Sequence, residues 1–182
     1  MRSLGVRTLT SDTAPRKSAI IDVELSRLKI DIAALSETFL TGSGSVKERN
    51  YTIFWGGHDK GHHPMHGVGF AVHNSLLSST SEPLALSPRL MSLRLRHSCG
   101  FLTLISAYAP TLVAAVEDKD AFYLHLREVV RAIPSSEGLV LLGDFNARVG
   151  NGSYAWEGIL GPHGVGNIND NGQRLLELCA GE

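Results

Sequence analysis

Apolar residues follow two rhythms along this chain. Between Pro15 and Leu28 they recur at three- and four-residue spacing. Ile20, Ile21, Val23, Leu25 and Leu28 alternate there with Asp22, Glu24 and Arg27, which predicts a helix opening at Pro15. Residues 118–133 repeat the pattern more cleanly. Phe122, Leu126, Val129, Val130 and Ile133 make one stripe, Lys119, Arg127, Glu128 and Arg131 face out, and Pro134 stops the helix. A third helix begins at Gln173 and runs to Cys179.

The second rhythm is that of strands. Residues 30–35 are short, nearly all apolar and β-branched at the start, as a strand buried on both faces requires. Residues 51–55 and 67–72 read as further strands. In residues 91–96 apolar and polar positions alternate, so that strand has one wet face. Residues 101–108 form an apolar strand ended by Pro110, and residues 139–142 form a short buried strand running into Gly143-Asp144-Phe145-Asn146. Residues 41–45 read as a Gly/Ser loop, and residues 151–172 as loop for most of their length. Several strands in succession between helices indicate an α/β sandwich with mixed sheets.

The length of 182 residues suits one domain with a real core. With 43% hydrophobic and 19% charged residues, the composition is globular and excludes a disordered chain. No apolar run approaches the roughly 20 residues that span a bilayer, and the N-terminus lacks a signal-peptide core. The expectation is therefore an intracellular chain, nuclear or cytoplasmic, with no membrane partner. Cys99 and Cys179 show no metal-ligand or redox spacing and read as two buried thiols. A formal net charge of −1 argues against a dedicated nucleic-acid coat protein. It leaves room for a nuclease, because a cationic metal can supply the charge that meets a phosphate.

Ligands of α/β folds gather outside the carboxyl ends of strands. Glu37, Tyr108, Asp144 and Asn146 all stand at such ends. Magnesium takes one or two carboxylates together with water and substrate phosphate, and Glu37 and Asp144 are of the right type and number. The Asn146 amide can orient a phosphate or an attacking water, and the Tyr108 phenol can donate to a phosphate oxygen. A carboxylate at a strand end also serves simply to cap a turn. His58, His62, His63 and His66 invite a zinc reading, yet no cysteine or carboxylate pattern accompanies them, and a polar loop between strands explains them better.

Three segments together carry a family resemblance. Residues 141–147, Leu-Leu-Gly-Asp-Phe-Asn-Ala, resemble the G-D-F-N motif of the endonuclease/exonuclease/phosphatase superfamily. Residues 32–38, Ile-Ala-Ala-Leu-Ser-Glu-Thr, look like its metal-glutamate motif, and residues 106–110, Ser-Ala-Tyr-Ala-Pro, look like its strand-tyrosine motif. Residues 27–38, 143–150, 156–158 and 163–167 are similar to non-LTR retrotransposon endonuclease domains and to craniofacial development protein 2-like proteins. The resemblance implies a four-layer α/β sandwich with two mixed sheets. It also implies Mg²⁺ dependence, with Mn²⁺ as a substitute, and cleavage of DNA phosphodiesters by a protein monomeric when complete. Glu37 and Asp144 would bind the metal. Asp144 would also activate the attacking water, Asn146 would hold the scissile phosphate, and Tyr108 would contact it or assist the leaving group. Arg7 and Asn167 are further candidates for contact with substrate.

The pattern is departed from at both ends. Residues 5–9, Gly-Val-Arg-Thr-Leu, match the family's opening strand with glycine at its asparagine position, and Glu182 precedes any S-D-H-like closing motif. The expectation is a partial domain lacking its C-terminal strands, with open strand edges, low stability and impaired activity. A degenerate binding or interaction module is the alternative. Asn169 and Asn171 suit tight turns, and Arg148 and Arg174 suit a solvated surface or the DNA backbone.

Overall fold

A computed structural model describes residues 4–5, 14–58 and 66–181. The chain divides into two compact units, residues 1–108 with 135–143, and residues 109–134 with 144–182.

The first unit carries two sheets. One is built from β1 (Leu4–Gly5), β2 (Ile32–Ser36), β3 (Ser43–Lys47), β4 (Tyr51–Gly56) and β5 (Val68–His73), in the order β1-β2-β5-β4-β3. It is mixed, because β1 runs parallel to β2 while β2, β5, β4 and β3 pair antiparallel. The other is built from β6 (Leu84–Ser87), β7 (Leu90–His97), β8 (Gly100–Tyr108) and β9 (Gly138–Asp144), in that order.

β2 is buried along its whole length, and its alternation explains the layering. Ala33 and Leu35 point to one face, where Ile21 and Leu25 of helix α1 (Ala14–Arg27) pack on them with Tyr51, Ile53 and Ala71. Ile32 and Ala34 point to the other, into a core shared with Phe70, Val72, Met91, Leu93, Leu104 and Tyr108 of both sheets. Helix, sheet and sheet thus form three layers, and the two-sheet α/β fold expected from the sequence is present.

Several local expectations are corrected. In α1 the buried face includes Asp22, while Ile20 and Val23 are exposed. Asp22 Oδ1 accepts from the Asn50 and Tyr51 amides and Oδ2 from Asn50 Nδ2, each at 2.8 Å, which repays its desolvation. The Gly/Ser stretch expected as loop contains β3. Its glycine permits close packing: a Cβ on Gly44 would stand 2.5 Å from Cζ2 of Trp55. β6 gave no clear pattern, having two exposed and two half-buried residues. β9 is a half-buried strand with Leu139 exposed, since it lies at the edge of its sheet among the described residues. Both cysteines are exposed, although partial burial still pushes the Cys179 thiol up.

The second unit holds α2 (Val116–Arg131), α3 (Asp170–Ala180) and a 3₁₀ turn at Ser153–Trp156. α2 buries Phe122, Tyr123 and Leu126. It also buries Lys119, expected to face out, whose Nζ pairs with Asp170 Oδ2 at 2.7 Å and donates to the Leu112 carbonyl. Asn169 caps α3 by accepting from Gly172 N at 2.7 Å.

Candidate active site

In the first unit, β2 ends at Ser36 and the chain turns sharply. Glu37 adopts φ 56° and Phe39 φ 53°, both in the left-handed region that non-glycine residues rarely occupy. Backbone bonds hold the turn, Thr38 N to Gly67 O at 3.2 Å and Phe39 N to His66 O at 2.9 Å. Glycine is required opposite, because a Cβ on Gly67 would meet Thr38 Oγ1 at 2.3 Å. The turn brings the Glu37 carboxylate to the end of β8, where the Tyr108 hydroxyl donates to Oε1 at 2.8 Å. Gly5 pairs with Ser36, so the residue at the family's asparagine position sits beside the turn and offers no side chain.

Arg89, which the sequence did not single out, and His66, weighed there as part of a polar histidine loop, complete this corner. Arg89 donates through one amino group to the Tyr108 carbonyl at 3.1 Å and through the other to His66 Nε2 at 2.9 Å. Its guanidinium lies 5.4 Å from the Tyr108 ring centroid, and its own carbonyl accepts the Tyr108 amide at 2.9 Å. Burial first, then the Arg89 charge and His58, lower His66 to about 4. A neutral imidazole is the form that can accept from arginine. His66 was expected to be plain loop. Its placement depends on pairing between distant strands, which leaves no local signal.

In the second unit, Asp144 is the last residue of β9 and Asn146 lies on the loop that follows. Asp144 Oδ1 accepts the Asn146 amide at 2.8 Å, and the Asp144 carbonyl accepts the Ala109 amide at 2.9 Å. Asn146, at φ 47°, donates through Nδ2 to the Ala109 carbonyl at 2.9 Å. That leaves its other amide hydrogen and its oxygen for a ligand.

The remaining candidates separate. Arg7 lies outside the described residues, as do His62 and His63. Asn167 is exposed and offers its carbonyl to Arg148 Nε at 2.7 Å, which occupies that arginine internally. Arg174 is bound to Asp120 and Asp170 on the surface of the helix pair. A cavity of about 450 Å³ in the first unit is lined by Ser43, Phe54, Trp55, Leu84 and Met91, without Glu37 or Tyr108.

Among the described residues, no group of three or more His, Cys, Asp and Glu is placed to hold a metal. Each carboxylate, Glu37 in the first unit and Asp144 in the second, keeps one oxygen with no hydrogen bond among the described residues, the donor type a hard divalent cation takes.

Known proteins resemble the chain in sequence and in fold. A model of the endonuclease/exonuclease/phosphatase family matches residues 6–176. Craniofacial development protein 2 of Bos taurus is 31% identical over 165 residues, which are 91% of this chain and 27% of the relative. The Tragulus javanicus protein of that name is 30% identical, with 91% and 28% covered. The chain therefore spans little more than a quarter of the curated relatives it matches. Among solved structures, the AP endonuclease LMAP of Leishmania major superposes with TM-score 0.61 at 14% identity, covering 97% of this chain and 64% of that one. The endonuclease domain of TRAS1, a telomere-specific non-LTR retrotransposon, gives TM-score 0.57 at 18% identity, covering 87% and 61%.

Proposed function

The chain belongs to the endonuclease/exonuclease/phosphatase family, and from that premise we propose that it is a metal-assisted phosphodiesterase acting on DNA, of the retrotransposon endonuclease type. The observation that carries this reading is the 2.8 Å hydrogen bond from Tyr108 to Glu37, which joins two motifs 71 residues apart. The resemblance in fold to two endonucleases supports the substrate class.

Glu37 and Asp144 are the proposed metal carboxylates. A bound Mg²⁺ or Mn²⁺ would polarise the phosphoryl group and stabilise the leaving oxyanion. The chain's own groups supply the rest. Tyr108 holds the Glu37 carboxylate in place and can donate to a phosphate oxygen. Asp144 takes the proton of the attacking water, and the uncommitted amide hydrogen of Asn146 holds the scissile phosphate. Arg7 and Asn167 are proposed to touch the DNA backbone.

One observation favours a second reading, a module that binds without cutting. Gly5, beside Ser36, brings no side chain to a position where the family has asparagine. Nicking of supercoiled plasmid with Mg²⁺ separates the two. The first reading expects nicking that EDTA abolishes and that Glu37→Ala and Asp144→Ala each reduce by about 100-fold or more. A folded protein that retains plasmid without nicking it, in Mg²⁺ or Mn²⁺, establishes the second.

A further inference from the structure

Asn171 is among the most deeply buried polar residues of the chain, at 0% exposure, yet it lies in a glycine- and asparagine-rich stretch that reads as a turn. Its Nδ2 donates to the Pro110 carbonyl at 2.8 Å and also reaches the Asn146 carbonyl at 3.4 Å. Asn169 Nδ2 reaches the same Asn146 carbonyl at 3.3 Å, and Asn169 Oδ1 accepts from the Arg148 amide at 3.0 Å. Behind them the Tyr123 hydroxyl donates to the Asn171 carbonyl at 3.0 Å, fixing the first turn of α3 to α2. No slack remains in this contact, since a Cβ on Gly172 would stand 2.0 Å from the Arg148 carbonyl. All these groups belong to the second unit.

Asn171 Oδ1 is buried and has no hydrogen-bond partner among the described residues. Turning the amide over would aim that oxygen at two carbonyls, so the orientation is fixed by the acceptors.

We propose that Asn171 is a positioning residue, whose buried amide bridges the Pro110 and Asn146 carbonyls and thereby fixes the loop that presents Asp144 and Asn146. This rests on the phosphodiesterase reading above. Asn146 sits at φ 47° with its side chain committed to Ala109, so small rotations of its peptide move the amide meant for substrate. Loss of about an ångström of alignment in such a group reduces turnover far more than binding.

The test uses the full chain with Asn171→Leu, which keeps the volume and removes the donor, and Asn171→Asp. Cleavage kinetics with Mg²⁺ are expected to show kcat lowered by about tenfold or more with KM within about twofold of the parent. A protonated aspartic acid can donate where a carboxylate cannot, so Asn171→Asp should regain activity relative to the parent as pH falls from about 8 to about 6. Amide exchange at Asn146 and Arg148 should quicken about tenfold while β8 is unchanged. A folded Asn171→Leu protein with parental kcat and parental loop exchange overturns the proposal. Should the parent not cleave DNA, the phosphodiesterase reading falls and loop exchange alone decides the clamp. Should both Asn171 variants fail to fold, Tyr123→Phe takes their place. It removes only the bond behind Asn171, is expected to speed Asn146 exchange about threefold, and overturns the proposal if exchange is unchanged.

Discussion

The Tyr108 hydroxyl donates to Glu37 Oε1 at 2.8 Å, across the end of β8 and the turn after β2. A hydrogen bond to an ionised group contributes about 1.5–3 kcal/mol. Tyr108→Phe should therefore lower kcat by about 10- to 100-fold in the nicking assay. The ring remains to fill the core it shares with Phe70 and Leu104, so the protein should stay folded, with its melting temperature lowered by about 3–12 °C. Parental kcat in this variant would remove Tyr108 from the site.

Arg89 grips Tyr108 from behind through the carbonyl, the ring face and His66. Arg89→Ala should destabilise the fold by about 1–3 kcal/mol, measured by urea denaturation, because it removes the hydrogen bonds that Arg89 donates to the Tyr108 carbonyl and to His66. Arg89→Lys should not restore stability, since one ammonium cannot reproduce a two-pronged planar contact.

His66 is lowered to about 4 by burial, by Arg89 and by His58, with Glu37 opposing. The unfolded chain, titrating near the ordinary histidine value of about 6.5, binds the proton more readily. Its contribution to stability is present above about pH 6.5 and lost progressively as pH falls toward about 4. The lowered carboxylates of Glu137 and Asp170, held chiefly by Arg94 and Lys119, add loss in the same direction at lower pH. Denaturant midpoints should fall from pH 7 to pH 5, and His66→Gln should flatten that slope.

Gly143 has φ 131°, and a Cβ there would stand 1.9 Å from the Ala107 carbonyl. Gly143→Ala should cost about 3 kcal/mol or more, read by thermal unfolding. Gly158 also has positive φ but faces open space, so Gly158→Ala should cost only about 1 kcal/mol.

The sequence disclosed those features whose causes are local. β7 and the helices follow from periodicity, since burial on one face imposes a repeat on the letters, while β2, β4, β5 and β8 follow from short apolar, β-branched or aromatic runs. β3 and β6 escaped notice because small and exposed residues keep no repeat when a strand lies at an edge. Lys119 and Asp22 broke the rule that charges face out, each having partners distant in sequence. Glu37, Tyr108, Asp144 and Asn146 were found through motifs. Arg89 and His66 were not, since nothing near Arg89 in sequence announces that its guanidinium will meet a histidine 23 positions earlier.

The left-handed backbone at Glu37 bears on how this chain would drift. Glycine or asparagine would occupy φ 56° with less strain than glutamate does. Under mutation with only folding preserved, codon 37 should move to those residues, and random libraries screened for solubility alone should enrich them there. Libraries screened for DNA cleavage should return glutamate, so the residue recovered at that codon reports which demand the chain is under.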